Sequence, residues 1–543
     1  MKSRAEALRV IQSQSFDVCI IGAGATGAGC ALDAQLRGLR SVLVDASDFA
    51  SGSSSASTKL VHGGVRYLQQ AFAQFDPGQL KVVRQALRER LPMLENAPHL
   101  AHTCEFLVPC FSRFEVVYYG IGLKLYDWFA GKASFGPRRV LSREHAVALL
   151  PTLKQDHLVG AVSYLDGQFD DARYCVALVK SFADAGGEVS NYLRVTGFDR
   201  NTGGKIVAAI VKDELSGGSF PLRARAFVNA TGPFSDQVRA LADAESLPRM
   251  VPSKGVHILL PLPPGVSRAL LIPETEDGRV IFAIPWLGRW LVGTTDDETQ
   301  FGDEMVVTRA EAEYLLRHLN RYADRTYTLD DIVAAFAGLR PLVRTGRKRT
   351  KNLIREHEVE VARTGGLVSI LGGKWTTYRA MAEDTIDAVE TQLMGSTRPS
   401  ATRQHRLSGA LGYTPGHWKS LAQEYQLSED LARHLSGKFG MEARDVIEIA
   451  QQQNEYGAAL VEGMPAIQAE VVYCARREMA VTVEDVLASR LGMQYFDWKC
   501  AIGAVPAIAG ILARELGWTE LQKEDAIRTC VSKMERSIHL LRN

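Results

Sequence analysis

A short stretch near the N-terminus concentrates side chains that can do chemistry. Lys59, His62, Arg66 and Tyr67 surround the pair Gly63-Gly64. Imidazole titrates near neutral pH, so His62 is a candidate proton acceptor. Two glycines in a row let the backbone approach a flat ligand. The stretch therefore predicts a binding site rather than a plain connection.

A run of small hydroxyl residues comes directly before this stretch. Residues 51–58 read Ser-Gly-Ser-Ser-Ser-Ala-Ser-Thr. That composition alone is typical of a flexible linker. Beside a nucleotide site the same hydroxyls can donate to phosphate oxygens, which makes Ser54, Ser55 and Thr58 candidates for phosphate contacts.

The element that must position these side chains is the first strand–helix–strand unit. An apolar run at residues 16–21 predicts a buried strand, and Gly22-Ala23-Gly24-Ala25-Thr26-Gly27 follows at once. Residues 28–37 predict a helix, and residues 41–44 predict a second strand that ends at Asp45. An acid about twenty residues after such a glycine turn is the pattern of a dinucleotide site.

Each part of this unit has a physical reason. Gly22 permits the tight turn, Gly24 lets the backbone approach a pyrophosphate, and Gly27 lets the helix pack close to the strand. The helix N-terminus offers free N–H groups and a partial positive charge to the phosphates. Asp45 can accept from both ribose hydroxyls and would repel a 2′-phosphate, so FAD or NAD is expected and NADP is not. The size of the chain favours FAD.

Two later segments carry further cations. The apolar run at residues 331–342 predicts a strand with Arg340 at its end, and a glycine turn at residues 372–373 brings Lys374 to the start of a predicted helix. A helix N-terminus and a lysine together would stabilise an anion, or a flavin edge that gathers negative charge on reduction.

Composition narrows the class of protein. A chain of 543 residues should hold two or three domains, and a net charge of +1 gives no global footprint for nucleic acid. The eight cysteines are scattered without zinc spacing, so a reducing compartment and no metal site are expected. No apolar run is long enough to span a membrane, and residues 1–14 have no apolar core, so no secretory signal is expected.

Residues 111–135 combine aromatic and basic side chains. Two interpretations compete: a helix lying in a membrane interface, or a core helix under the substrate domain. The core helix is favoured, because aromatic stripes are more often buried.

The alternation of apolar and polar residues that starts at Lys254 predicts an antiparallel sheet inserted in the nucleotide fold. The predicted fold class is α/β, with a Rossmann-like FAD-binding domain, an inserted antiparallel-sheet substrate domain and a C-terminal all-α domain. The predicted segments are residues 15–79, 151–250 and 349–394 for the FAD-binding domain, 80–150 and 251–348 for the substrate or cap domain, 395–408 for a linker and 409–543 for the helical domain.

These motifs together resemble the FAD-dependent glycerol-3-phosphate dehydrogenases, most of all the mitochondrial type, whose fold is like that of D-amino-acid oxidase and glutathione reductase. The calcium-binding loop of the animal enzymes is not visible in this sequence. The resemblance rests on residues 20–27, 57–68, 228–234, 293–296, 338–342, 372–379 and 477–487.

The resemblance implies oxidation of sn-glycerol 3-phosphate to dihydroxyacetone phosphate, with hydride transfer from C2 to FAD and reoxidation by a membrane quinone. It also implies a peripheral membrane protein, often a homodimer, at the bacterial cytoplasmic membrane or the mitochondrial inner membrane.

The substrate needs a phosphate clamp and a base for its C2 hydroxyl. Arg340 matches the substrate-binding arginine of the family, and Lys374 would complete the clamp. Arg66 would assist, with weaker contacts from Tyr67 and Thr377.

Proton acceptance has two candidates. His62 is the first, and His257 is the second, for which a satisfied core histidine is the alternative interpretation.

The expected FAD contacts group around the phosphates, the ring and its pyrimidine side. They are Gly22, Gly24, Ala25, Thr26, Gly27, Asp45, Ser54, Ser55, Thr58, Lys59, Gly63, Gly64, Ala230, Gly232, Gly372, Gly373, Lys374, Trp375 and Thr376.

Three other functions compete with the dehydrogenase. They are a glycerol-3-phosphate oxidase that uses oxygen, a related FAD amine or amino-acid oxidase, and a flavoprotein that senses or scaffolds without turnover.

Overall fold

The computed structural model describes residues 1–64, 77–302, 304–344, 357–363 and 365–543. Arg66 and Tyr67, which the sequence places among the substrate contacts, lie outside the described residues.

The strands are numbered in chain order over the described ranges. They are β1 Ser15–Ile21, β2 Ser41–Val44, β3 Leu60–Val61, β4 Ala101–Cys110, β5 Arg139–Ser142, β6 Gly160–Phe169, β7 Glu188–Ser190, β8 Leu193–Arg200, β9 Ile206–Asp213, β10 Ser219–Asn229, β11 Met250–Pro261, β12 Ala269–Ile272, β13 Ile281–Trp286, β14 Arg289–Gly293, β15 Asp297–Glu298, β16 Ala334–Val343, β17 His357–Val361 and β18 Leu367–Gly372.

The α-helices are numbered in the same way. They are α1 Arg4–Ser13, α2 Ala25–Leu36, α3 Pro77–Asn96, α4 Arg113–Ala130, α5 Arg143–Leu149, α6 Asp171–Asp184, α7 Ser235–Ala242, α8 Arg309–Leu319, α9 Tyr378–Met394, α10 His417–Tyr425, α11 Glu429–Phe439, α12 Ala443–Gln452, α13 Gln468–Glu478, α14 Val483–Asp485, α15 Trp498–Leu516 and α16 Glu520–Arg542.

The first sheet is built around the predicted strand–helix–strand unit. β1 pairs in parallel with β2 on one side and with β10 on the other, and β18 pairs in parallel with β10. β1 and β2 are almost completely buried, as expected of parallel strands covered on both faces. Their carboxyl ends therefore meet at one edge of the sheet, where the glycine turn begins.

The second sheet is mostly antiparallel and follows the order β15-β11-β14-β13-β12-β4-β6-β3 through the described residues. β16 pairs with β11 along ten registered positions, from Met250 with Val343 to Leu259 with Ala334. Trp290 and Ile258 lie in the core of this sheet. This sheet contains the antiparallel strands that the alternation from Lys254 predicts.

The crossover between the two sheets differs from the predicted boundary. Residues 160–169 form β6, which pairs with β4 and with β3 in the second sheet. The chain returns to the first sheet only at α6, where the Asp170 carboxylate caps the helix by accepting from the Arg173 N–H at 3.1 Å. Residues 160–169, which the sequence analysis assigns to the FAD-binding segment 151–250, thus lie in the second sheet. β6 is buried on both faces, and its sequence lacks the strict alternation that reveals a half-exposed strand.

The C-terminal helices pack on the first sheet through buried ion pairs. Arg173 on α6 donates to both carboxylate oxygens of Glu478 at 2.7 and 2.8 Å. Arg490 donates to both oxygens of Asp48 at 2.7 and 2.9 Å. Because Asp48 lies three positions after Asp45, the helical domain supports the loop that follows β2.

None of the helices in the described ranges combines the length and apolar character needed to cross a bilayer.

Candidate functional site

The first glycine turn has backbone geometry that only glycine supplies. Gly22 has a φ of +103°, and a Cβ at this position would lie 2.7 Å from the Ala230 carbonyl oxygen. A Cβ at Gly27 would lie 1.7 Å from the Gly22 carbonyl oxygen. The turn therefore packs against the end of β10, which brings Ala230, one of the predicted FAD contacts, beside it.

The hydroxyl run folds over the N-terminus of α2. The Ala25 N–H donates to the hydroxyl oxygen of Ser54 at 2.9 Å, and a Cβ at Gly24 would be equally close to that oxygen. An oxygen acceptor thus already lies at the helix N-terminus, where a phosphate oxygen would bind.

Asp45 lies at the end of β2 beside the same turn. Its carboxylate accepts from the Ala23 N–H at 2.6 Å and from the Ser47 N–H at 2.9 Å. Burial raises the pKa of this carboxyl to about 6. The acid is therefore held rigidly at the position where the pattern predicts a ribose contact.

The hydroxyl run continues from the first sheet to the second. The Ser53 hydroxyl donates to the Leu339 carbonyl oxygen at 2.5 Å, and the Ser57 hydroxyl donates to Asp171 at 2.6 Å. The Thr58 hydroxyl lies 3.0 Å from Nε2 of His257. The hydroxyl run is consequently an ordered segment that connects the first glycine turn to the second sheet.

Two members of the run differ from their expected phosphate contacts. The Ser55 side chain is buried and lies 3.3 Å from both the Gly52 carbonyl oxygen and the Tyr495 hydroxyl. Thr58 turns its hydroxyl to His257. Only Ser54 of the three predicted hydroxyls lies at the helix N-terminus.

Lys59 also differs from its expected contact with the cofactor. Its ammonium is buried, donates to Asp171 and to the Ser55 carbonyl oxygen, and lies over the rings of Trp286, Phe336 and Tyr495. Its charge is already matched inside the protein, because a buried ammonium requires a partner. Lys59 is therefore a structural cation under the site.

His257 and Arg340 lie side by side on the second sheet. A Cβ at Gly255, two positions before His257 on β11, would lie 2.3 Å from the Arg340 guanidinium. The His257 ring stacks on Phe336, with ring centroids 4.8 Å apart. Burial, followed by the charges of Arg340 and Lys59, holds the pKa of His257 well below its usual range, so the ring is neutral.

Arg340 is partly buried and already engaged by protein acceptors. Its guanidinium forms an ion pair with Asp296 at 3.1 Å, and donates to the Thr294 hydroxyl at 2.9 Å and to the Thr295 carbonyl oxygen at 2.6 Å. A substrate phosphate would have to share or displace these contacts. The predicted clamp thus includes an internal counter-ion that the sequence analysis did not assign.

His62 lies in a loop between β3 and the undescribed residues. Its Nδ1 accepts from the Gly64 N–H at 3.1 Å, so the neutral ring carries its proton on Nε2. The Gly63 N–H donates to the Tyr126 hydroxyl at 2.8 Å, and Gly64 has a φ of +84°. The loop therefore turns at the glycine pair, and the Tyr126 hydroxyl on α4 fixes this turn through the Gly63 N–H.

The second glycine turn lies against both the loop and the hydroxyl run. Gly372 and Gly373 have φ values of +74° and +88°. Nε1 of Trp375 donates to the Ser54 carbonyl oxygen at 2.9 Å, and the Thr376 hydroxyl donates to the His62 carbonyl oxygen at 3.5 Å. The turn that carries Lys374 is thereby joined to His62 and to the start of α2.

Two remaining predicted contacts are also placed. The Thr377 hydroxyl is buried and donates to the Lys374 carbonyl oxygen at 3.1 Å, so it faces its own helix rather than a substrate. Gly232, with a φ of +56°, follows β10 and has its carbonyl oxygen held by the Ser235 hydroxyl at 2.7 Å.

Sequence reasoning missed three supporting residues: Tyr126, Asp171 and Asp296. Tyr126 belongs to the aromatic and basic segment of residues 111–135, whose composition does not indicate its contact with the Gly63 N–H. The signal available for Asp296 was its place at the end of the Gly-Thr-Thr-Asp motif.

Comparison with known proteins identifies the family. The model of FAD dependent oxidoreductases matches residues 17–379, and the model of the C-terminal domain of alpha-glycerophosphate oxidase matches residues 400–523. Over 541 residues the chain is 40% identical to the mitochondrial glycerol-3-phosphate dehydrogenase of Rattus norvegicus, covering 97% of this chain and 74% of that protein. The chain belongs to the glycerol-3-phosphate dehydrogenase family of FAD-dependent oxidoreductases.

Two further relatives agree with this assignment. The mitochondrial glycerol-3-phosphate dehydrogenase of Arabidopsis thaliana is 39% identical over 547 residues, covering 96% of this chain and 86% of that protein. The crystal structure of the glycerol-3-phosphate dehydrogenase from Bacillus halodurans, complexed with FAD, has a TM-score of 0.81 at 29% identity and covers 99% of this chain and 98% of that chain. The predicted fold class and the C-terminal helical domain are confirmed.

The residues of this glycerol-3-phosphate dehydrogenase family member fit FAD. The glycine turn at Gly22, Gly24 and Gly27, with the carboxylate of Asp45 fixed beside it, has the residues that a dinucleotide site requires. The N–H groups at the start of α2, where Ala25 already donates to an oxygen of Ser54, are the donors that phosphates require.

Proposed function

We propose that this protein oxidises sn-glycerol 3-phosphate to dihydroxyacetone phosphate. FAD, when bound, supplies the acceptor for the hydride that leaves C2 of the substrate. The observation that carries the proposal is that residues 54–58 contact both halves of the site. Ser54 accepts from the Ala25 N–H at the start of α2, and the Thr58 hydroxyl lies 3.0 Å from His257 on β11, the strand whose Gly255 packs against the Arg340 guanidinium. This segment joins the first glycine turn to a sheet face that offers a cation and an imidazole.

Arg340 and Lys374 would bind the substrate phosphate, which is a dianion. A guanidinium matches phosphate oxygens with its planar fork, and Asp296 holds that fork in one orientation. This pair of cations favours a phosphate over the single carboxylate of an amino acid. Arg66 and Tyr67 remain predicted contacts from outside the described residues.

His62 is the proposed acceptor of the C2 hydroxyl proton. The lone pair of its neutral ring lies on Nδ1, where a substrate hydroxyl would replace the 3.1 Å contact with the Gly64 N–H. His257 is the weaker candidate, because an imidazole whose pKa is held well below neutrality is a poor proton acceptor.

A membrane quinone is the proposed acceptor of the electrons, and the protein would act as a peripheral membrane protein, as a homodimer, at the bacterial cytoplasmic membrane or the mitochondrial inner membrane. The mitochondrial location of the curated relatives supports a respiratory role. Oxygen is the second candidate acceptor, because residues 400–523 match the family model of the C-terminal domain of alpha-glycerophosphate oxidase.

An anaerobic titration of the purified holoprotein with sn-glycerol 3-phosphate tests the proposal. Prompt loss of the oxidised flavin absorbance is the expected result, and a quinone analogue should restore it. Glycerol and glycine are the control substrates, since the first lacks the phosphate and the second belongs to an amine oxidase. Bleaching by glycine alone would contradict the proposal, and rapid peroxide formation in air would assign the electrons to oxygen.

A further inference from the structure

The helix α4 has apolar residues on both its inner and its outer face. Leu123, Tyr126 and Ala130 are buried against the second sheet. On the outer face Phe114, Val117, Ile121 and Trp128 are exposed by 75%, 59%, 57% and 72% of their surface. At 3.6 residues per turn these four lie on one side of the helix.

Such an exposed face is unusual for a protein in water. A surface helix normally directs its polar side outward, and large apolar patches on a monomer mark interaction sites. The core-helix interpretation therefore accounts for the inner face of α4 alone. It does not explain what covers the apolar side chains of the outer face.

The charges beside this face identify the chemistry of that occupant. Arg113 and Lys124 are exposed along one border of the face, and Arg139 is exposed on β5. β5 starts next to α4, because Nε of Arg138 donates to the Gly120 carbonyl oxygen at 2.6 Å.

The two acidic side chains of α4 accept hydrogen bonds from backbone N–H groups of the protein. Glu115 accepts from the Phe111 N–H at 2.6 Å, and Asp127 accepts from the Arg138 N–H at 3.1 Å. Among the described side chains of α4 and the first residue of β5, the exposed charges are those of Arg113, Lys124 and Arg139, and they complement the negative headgroups of a membrane surface.

The geometry points to α4 as the helix that lies in the interface of an anionic bilayer, with Phe114, Val117, Ile121 and Trp128 inserted at the level of the headgroups. This inference rests on the proposed function, because it supplies the surface on which a membrane quinone is reached. It also adds a specific relation to the active site. Tyr126, on the opposite face of the same helix, holds the Gly63 N–H beside His62.

Co-sedimentation of the holoprotein with vesicles tests the inference. The wild type should bind vesicles of phosphatidylcholine mixed with phosphatidylglycerol, and should bind pure phosphatidylcholine less, with the difference shrinking as salt is raised. The variant with Phe114→Ser and Trp128→Ser together should lose at least about tenfold in vesicle affinity. Lys124→Gln should lower the preference for the anionic vesicles.

A control variant replaces two apolar side chains of similar fractional exposure elsewhere. Leu411 and Leu521 in the C-terminal domain are exposed by 79% and 78%, so Leu411→Ser combined with Leu521→Ser should leave vesicle binding unchanged. Unaltered binding of the Phe114/Trp128 variant would overturn the inference. Conversion of a dimer to a monomer by that variant, measured by light scattering, would also overturn it and assign the face to a second copy.

Turnover separates the inference from the proposed function. With sn-glycerol 3-phosphate and a soluble dye, the Phe114/Trp128 variant should keep wild-type activity while it loses vesicle binding. If the wild type binds vesicles but does not oxidise this substrate, the proposed function is wrong, and the inference that α4 binds a membrane is still supported.

Discussion

The hydroxyl oxygen of Ser54 accepts from the Ala25 N–H at 2.9 Å, at the first residue of α2. The helix N-terminus therefore carries an oxygen ligand from the protein itself. When a phosphate oxygen takes this position, the Ser54 hydroxyl is free to rotate and donate to it, since a hydroxyl both donates and accepts. The same side chain then serves the site with and without a phosphate.

Ser54→Ala should weaken FAD binding by about two- to tenfold, the value of one hydrogen bond. Fluorescence titration of the apoprotein with FAD measures this change. Ser51→Ala is the matched control, because Ser51 is exposed in the same run. Equal affinities for the two variants would remove Ser54 from the phosphate site.

Asp45 predicts a pH dependence of FAD binding. Since burial raises the pKa of its carboxyl to about 6, the group becomes protonated in the apoprotein as the pH falls from 7 to 5. A protonated carboxyl accepts less well from the ribose hydroxyls, so FAD affinity should decrease across this range. Asp45→Asn should bind FAD weakly at every pH. A wild-type affinity that stays constant from pH 7 to 5 would contradict this role.

Arg340→Lys should lower kcat/KM for sn-glycerol 3-phosphate by about 10- to 150-fold, because a charged hydrogen-bond contact contributes about 1.5–3 kcal/mol. Oxidation of glycerol, which has no phosphate, should change far less. Arg344→Lys provides the control, as Arg344 is exposed just beyond the same strand. The FAD content of the variant should stay at the wild-type level. Equal losses on both substrates would assign Arg340 to the fold rather than to phosphate binding.

The two histidines can be separated by their pH profiles. His62→Gln should reduce kcat by about 100-fold or more, the usual effect of removing a general base. The rate should fall on the acid side in the wild type, because a protonated base cannot accept, and this acid limb should disappear in His62→Gln. His257→Gln should keep the limb, since its neutral ring does not titrate there. The reverse result would make His257 the base. His145→Gln, on the exposed side of α5, is the control.

The nucleotide half of the site could be predicted from the sequence because its signals are local. Gly22, Gly27 and Asp45 act through backbone geometry and chain spacing, and the structure has β1, β2 and α2 within a few residues of the predicted bounds.

The partners of Lys59, Thr58 and Arg340 could not be predicted in the same way. Asp171 and His257 lie more than one hundred residues from the side chains they contact, and nothing in the sequence records which buried charge meets which. The hydroxyl run carries the composition of a linker, yet tertiary contacts on both sides make it the centre of the site. The outward face of α4 has the same aromatic residues that a core helix would have, so only exposure distinguishes the two interpretations.

The bidentate contact between Arg490 and Asp48 has a thermodynamic consequence. If FAD binding and docking of the helical domain stabilise the same arrangement of the loop after β2, each strengthens the other by the same free energy. A ligand that binds the native state alone also raises the stability of every part that must be folded for binding. Loss of the Arg490–Asp48 contact is then expected to lower the affinity for FAD, although the C-terminal helices contribute no reacting group to the proposed site.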